Sequence, residues 1–155
     1  MPAEDAIFRG AMRLLASGVT IVATNCRGEY SGLTATAVCS LALSPARILA
    51  SVNRAGRTYE RIVESRIMSV NLLAEDHAPL ADRFAGRTGA AGEDRFAHAA
   101  WEERVTGAPL LGNALTLHLG FRAPAGLEDE LTLCLEDLRT RHSGAGHEHD
   151  ERHVF

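Results

Sequence analysis

Residues Gly32 to Leu41 read GLTATAVCSL, two threonines alternating with alanines and then a serine ahead of an apolar run. A core strand is richer in Val, Ile and Leu, and a plain surface strand carries charge. Here the side chains are small and several bear hydroxyls. Such a strand either admits a flat ligand, whose polar edges meet the hydroxyls and peptide N–H groups, or packs closely against another element. On composition alone, close packing is the simpler account. Upstream, Val19–Thr24 (VTIVAT) is β-branched and reads as a strand. Asn25–Tyr30 (NCRGEY) supplies a turn, so Val19–Thr24 and Gly32–Leu41 are expected to form a hairpin.

Working outward, Ala6–Ala16 has a helical apolar pattern that Gly18 should end. Ser44-Pro45 breaks the chain before a third strand, Arg47–Asn53. Gly56–Ser65 reads as a short helix, Ile67–Leu73 as a fourth strand, and Asp76–Phe84 as an amphipathic helix with Asp76 as N-cap. Ala85–Arg95 is a Gly-rich connection expected to be a mobile surface loop. Trp101–Val105 reads as an edge strand, and Asn113–Arg122 and Leu131–Arg139 as two long ones. Ser143–Asp150 is a polar linker before a last short strand at Arg152–Phe155. Strands that do not alternate regularly with helices point to a mainly β fold, an antiparallel barrel with peripheral helices, spanning the whole chain as one domain.

The 155 residues are 46% hydrophobic and 23% charged, which argues against disorder, and the net charge is −4. Without a basic excess, nucleic acid is not an expected partner. No apolar run approaches the roughly 20 residues of a membrane span, and the acidic start MPAED lacks the pattern of a secretory signal. Three cysteines without a CxxC pair suit a reducing cytoplasm. Walker, GxGxxG, GxSxG and HExxH signatures are absent, so nucleotide hydrolysis and hydrolase chemistry lack their fingerprints, and no catalytic side chain is assigned.

Three further segments are candidates. SVNRAGRT, Ser51–Thr58, leaves a strand and enters a helix through Asn, Gly and two arginines. The unpaired N–H groups and positive dipole of a helix start suit a phosphate there, and a capped connection with solvated arginines is the plain alternative. Arg83-Phe84 beside Gly86 either contacts a planar ligand or caps a helix with Phe84 in the core. His142, His147, His149 and His153 interleave with acidic residues and glycines, which reads as a solvated tail rather than a metal site.

Together, FRGAMRLLASGVTIVAT (Phe8–Thr24), GLTATAVCSLALSP (Gly32–Pro45) and SVNRAGRTYERI (Ser51–Ile62) resemble the short-chain flavin reductase-like proteins. Residues 69–89 and 95–115 continue the likeness, which covers about residues 6–122. The later portion is similar to reductases of the pyrimidine-degradation and aerobic cobalamin-biosynthesis subgroups. The resemblance implies a split β-barrel of the FMN-binding type and a homodimer with flavin sites near the subunit interface. It also implies NAD(P)H-dependent reduction of FMN or FAD, by NADH or NADPH, for a partner monooxygenase or other acceptor.

Carried residue by residue, it places Thr34, Ala35, Thr36 and Ser40 along the isoalloxazine and ribityl chain. Ser51, Asn53, Arg54, Gly56, Arg57 and Thr58 fall at the ribityl and phosphate end, and Arg83 and Phe84 close over the flavin. The chemistry then rests on positioning the nicotinamide against the flavin. The C-terminal third departs from the pattern. LEDELTLCLEDL has Asp129-Glu130 where the family has Asp-His, which puts Glu130 at the nicotinamide edge and His153 in the closing strand. That departure motivates a second reading, a flavin-binding split-barrel protein without efficient NAD(P)H oxidation; a structural subunit without flavin is a third.

Overall fold

A computed structural model describes residues 2–43, 46–120 and 139–141. The expected hairpin is present. Strand β1 (Thr20–Cys26) pairs antiparallel with β2 (Glu29–Ala35) from Thr20 opposite Ala35 to Cys26 opposite Glu29. Its loop is only two residues long, Arg27 at φ 57° and Gly28 at φ 87°. Two successive left-handed residues match the right-handed twist of the strands. The Asn25 carboxamide oxygen accepts the Gly28 N–H at 2.9 Å and fixes the turn.

The expected single strand Gly32–Leu41 is instead two. β2 ends at Ala35, the chain bends at Thr36, and β3 (Val38–Leu43) pairs with β4 (Ala46–Ala50) in a separate two-stranded sheet. Alternation continues through the bend, so periodicity alone conceals it. The main sheet is antiparallel in the order β2, β1, β5 (Ile67–Leu72), β8 (Leu115–Gly120), β9 (Arg139–Arg141). A third sheet pairs β6 (Trp101–Glu103) with β7 (Pro109–Leu111), a strand too short to show in the sequence pattern. The fold is thus mainly β, but the described strands form three sheets and close no barrel.

Helix α1 covers Pro2–Met12, earlier than the expected Ala6–Ala16. α2 (Arg57–Ser65) follows its N-cap Gly56, and α3 (Ala78–Phe84) follows a 3-10 turn at Glu75–His77. His77, not Asp76, is therefore the residue before α3. None of the described helices is long and apolar enough to cross a membrane. Residues 131–138 and 142–155, with the expected strands and the histidine-rich tail, lie outside the described residues.

β1 separates two apolar cores. Val22 joins Ala35, Ile48, Ala50, Val52, Ile62, Met68 and Val70 beneath α2. On the opposite face Ile21 and Ala23 meet Phe84 and Phe96. A strand covered on both faces can be apolar throughout, which is why VTIVAT lacks polar alternation. Among the described residues, Asn71 on β5 is the largest polar side chain that is buried completely. Its amide donates to the Ile21 carbonyl at 3.0 Å and the Ser69 hydroxyl at 3.2 Å, and its oxygen accepts the Leu111 N–H at 2.8 Å. It therefore ties β1, β5 and β7 together. Asn71→Ala leaves two backbone groups unpaired in the interior, and the unfolding free energy from urea titration is expected to fall by about 3 kcal/mol.

Candidate functional site

The bend between β2 and β3 opens a cavity of about 500 Å³, lined by Leu33, Thr34, Ala35, Thr36, Ala37, Ser51, Val52, Asn53, Phe84 and Ala85. Its size lies within the roughly 300–1,000 Å³ typical of small-molecule sites. Six of the sequence-predicted residues meet there: Thr34, Ala35, Thr36, Ser51, Asn53 and Phe84. The Ser51 N–H donates to the Ala37 carbonyl at 2.9 Å, which joins the start of β3 to the loop after β4. In that loop the Asn53 carboxamide oxygen accepts the Ala55 N–H at 3.0 Å, and its carbonyl accepts the Gly56 N–H at 3.0 Å. Asn53 thereby turns the chain into α2.

The wall opposite is α3, and two contacts place it. Thr34 donates its hydroxyl to the Ala81 carbonyl at 2.6 Å. Gly32 lets Phe84 lie against β2, because a Cβ at Gly32 would come within 2.8 Å of the Phe84 ring and 3.1 Å of the Val22 carbonyl oxygen. Phe84 is completely buried rather than a free cover, packed edge-on to Phe96 at 4.8 Å and near Trp101 at 5.6 Å.

The segment after α3 is pinned, against the expectation of a mobile loop. Arg95 donates to the carbonyls of Ala90, Gly32 and Phe84 at 3.1, 3.3 and 3.4 Å. Arg83 donates its Nε to the Asp94 carbonyl at 2.9 Å. Arg83 consequently lines a different cavity, of about 820 Å³, together with His77, Leu80, His98 and Asn113. Ser40, on exposed β3 opposite Ile48, does not line the 500 Å³ cavity either. Sequence reasoning missed Arg95 because a charged residue after glycines looks like solvent-facing loop, and only the fold brings three carbonyls around it.

Beyond Asn53 the chain turns into α2, and Arg54, Gly56, Arg57 and Thr58 do not line the cavity. Gly56 caps this helix without a side-chain hydrogen bond, so no side chain of the N-cap satisfies the first N–H groups. Thr58 is buried, its hydroxyl 3.0 Å from that of Ser31 on β2. Arg57 is exposed and bonded to the Glu29 carboxylate at 3.2 Å, and Arg54, also exposed, lies in the preceding turn. Glu130 and His153 lie outside the described residues.

Residues 12–120 match the family described as the flavin reductase like domain. The chain belongs to that family. FMN reductase (NADH) RutF 1 of a Methylorubrum extorquens strain is 39% identical over 115 residues, which cover 74% of this chain and 56% of that protein. FMN reductase (NADH) RutF of Pseudomonas syringae pv. syringae is 36% identical over 141 residues, 89% of this chain and 78% of that one. The solved flavin reductase PheA2 in its native state has a TM-score of 0.75 at 27% identity, covering 90% of this chain and 88% of that chain. This chain spans little more than half the length of several curated relatives it matches.

Behind Phe84, Tyr30 packs against Phe96 at 5.2 Å and donates its hydroxyl to the Glu103 carboxylate at 2.5 Å. Burial first, then this bond and the charges of Glu103 and Glu93, raise the Tyr30 phenol from 10.0 to about 12. A raised folded-state value means that the protonated phenol stabilises the fold fully below pH 10.0, and that this contribution is lost as pH climbs to about 12. The sequence contains no lysine, so few other groups titrate in that window. Denaturant titrations between those pH values are expected to show a falling stability whose slope Tyr30→Phe reduces.

Proposed function

We propose that this protein is an NAD(P)H-dependent flavin reductase that supplies reduced FMN or FAD to a partner monooxygenase or another acceptor. One observation carries the proposal: a small-walled slot at the β2–β3 bend is bounded by Ser51–Asn53, the loop that turns three residues later into α2 at its N-cap Gly56. The residues present fit a flavin. Ala35, Ala37 and Ala85 leave clearance for a flat ring, Thr36 and Ser51 bring hydroxyls to its edge, and Thr34, whose hydroxyl proton goes to the Ala81 carbonyl, lines the slot beside them. The start of α2 from Gly56 to Thr58 would bring backbone N–H groups and Arg57 a guanidinium to the ribityl phosphate, with the Thr58 hydroxyl turned inward against Ser31. The names of the relatives support FMN and NADH in particular.

A bound flavin supplies the hydride-accepting chemistry. The protein's own part is to hold the ring between the β2–β3 bend and α3, to keep the phosphate at α2, and to leave one ring face open for the nicotinamide. Such a role needs no acid–base pair at the slot, and the residues lining it contain no carboxylate or histidine. Phe84 acts through its buried packing, which fixes the α3 wall, while Arg83 holds the following segment to that wall.

The assembly we infer is a homodimeric split barrel, in which a second subunit covers the apolar side chains left bare on β3. Leu41 and Leu43 are 46% and 68% exposed there, and neighbouring exposed apolar side chains on one strand suit a partner surface. Leu41→Asp with Leu43→Asp is expected to give a monomer by light scattering while the circular dichroism spectrum stays unchanged. The free Cys26 and Cys39 fit a cytoplasmic setting.

Stopped-flow mixing of the flavin-loaded protein with NADH or NADPH tests the activity. Bleaching faster than for free flavin is expected. Flavin binding without faster bleaching would support instead the flavin-binding protein motivated by Glu130. For the phosphate end, Arg57→Ala is expected to weaken FMN binding by about ten-fold and riboflavin binding hardly at all, because riboflavin lacks the phosphate. Fluorescence titration of both ligands checks this, and equal losses would remove Arg57 from the phosphate site.

A further inference from the structure

The two-residue turn at Arg27-Gly28 sets Glu29 at the head of β2, beside α2. Glu29 receives two guanidinium groups: Arg57 at 3.2 Å and Arg61, one helical turn on, in a shorter contact. The two arginines differ in their freedom. Arg61 is 23% exposed and also lies 3.8 Å from Glu64, which in turn pairs with Arg27 at 2.6 Å. Arg57 is 65% exposed. Charges therefore alternate along a row, Arg27, Glu64, Arg61, Glu29, Arg57. The row ends on the cation assigned above to the flavin phosphate.

We propose that Glu29 is a built-in competitor of the flavin phosphate for Arg57, and that it sets how readily FMN leaves the protein. The inference rests on the phosphate reading of the preceding subsection. An exposed Arg–carboxylate pair is weak and exchanges readily. A phosphate monoester, carrying about −1.5 to −2 charge at neutral pH, draws Arg57 away from a single carboxylate. Glu29 does not follow, because Arg61 keeps hold of it. A fixed negative charge then remains beside the bound phosphate and opposes it. Affinity for FMN is held down without any change at the ring slot, and Arg57 always has a partner to return to when FMN departs. A protein that passes reduced flavin to an acceptor gains from that arrangement, since release is part of its cycle.

The test compares FMN and riboflavin, by fluorescence titration and by release rate, in the wild-type protein, Glu29→Gln, Arg57→Ala and the double variant. Glu29→Gln is expected to bind FMN about three- to five-fold more tightly, mostly through slower release, with riboflavin unchanged. The gain is expected to vanish in the Arg57→Ala background and to shrink as salt is raised. An unchanged or weakened FMN affinity in Glu29→Gln overturns the proposal. So does an equal gain for riboflavin, which would mean a reshaped slot, or a gain that survives removal of Arg57. If the wild-type protein binds FMN and riboflavin alike, the phosphate reading falls and the proposal with it. A wild-type preference for FMN that Glu29→Gln leaves untouched overturns the competitor alone.

Discussion

The missing side chain at Gly32 governs how the two halves of the slot meet. With a Cβ there, the Phe84 ring and β2 could not occupy their present positions. Because the ring does fit, α3 lies close enough for Thr34 to reach the Ala81 carbonyl, and Phe84 and Ala85 become one wall of the cavity. The same ring starts the aromatic stack that runs through Phe96 to Trp101 and Tyr30. Arg95 then fastens the arrangement by bonding the carbonyls of both Gly32 and Phe84. A backbone-to-ring approach of this kind cannot relax gradually, because close-packed interiors yield little.

Much of this was legible in the sequence, for identifiable reasons. The β-branched run at Val19–Thr24 and the turn residues after it gave the hairpin, since strand propensity and left-handed turn positions are local properties. The helix beginning after Gly56 was equally local. The break at Thr36 was not, because a bend between two strands keeps the alternation of small residues intact. β7 was hidden because three residues carry no period, and its place depends on Asn71 and Ser69 from a distant strand.

For the slot, small and hydroxyl-bearing residues marked one wall, and the family likeness raised a ligand above close packing. The structure adds that both accounts of GLTATAVCSL are true of different residues. Thr34 is committed to α3 through its hydroxyl, whereas Thr36 at the bend is exposed. Arg83 and Ser40, grouped with the others by the resemblance, have their side chains outside this slot. Successive residues on a helix point about 100° apart, so Arg83 and Phe84, adjacent on α3, line two different cavities.

Ala35 stands where the interior of the protein and the slot share a single residue. It packs into the core with Val22 and Val70, lines the cavity, and accepts the Thr20 hydroxyl at 2.8 Å through its carbonyl. Few positions in a protein are answerable both to the solvent-free interior and to an incoming molecule. A larger residue there would crowd both spaces at once, and a glycine would loosen both. A stable interior and an open slot therefore ask for the same small residue at this one position.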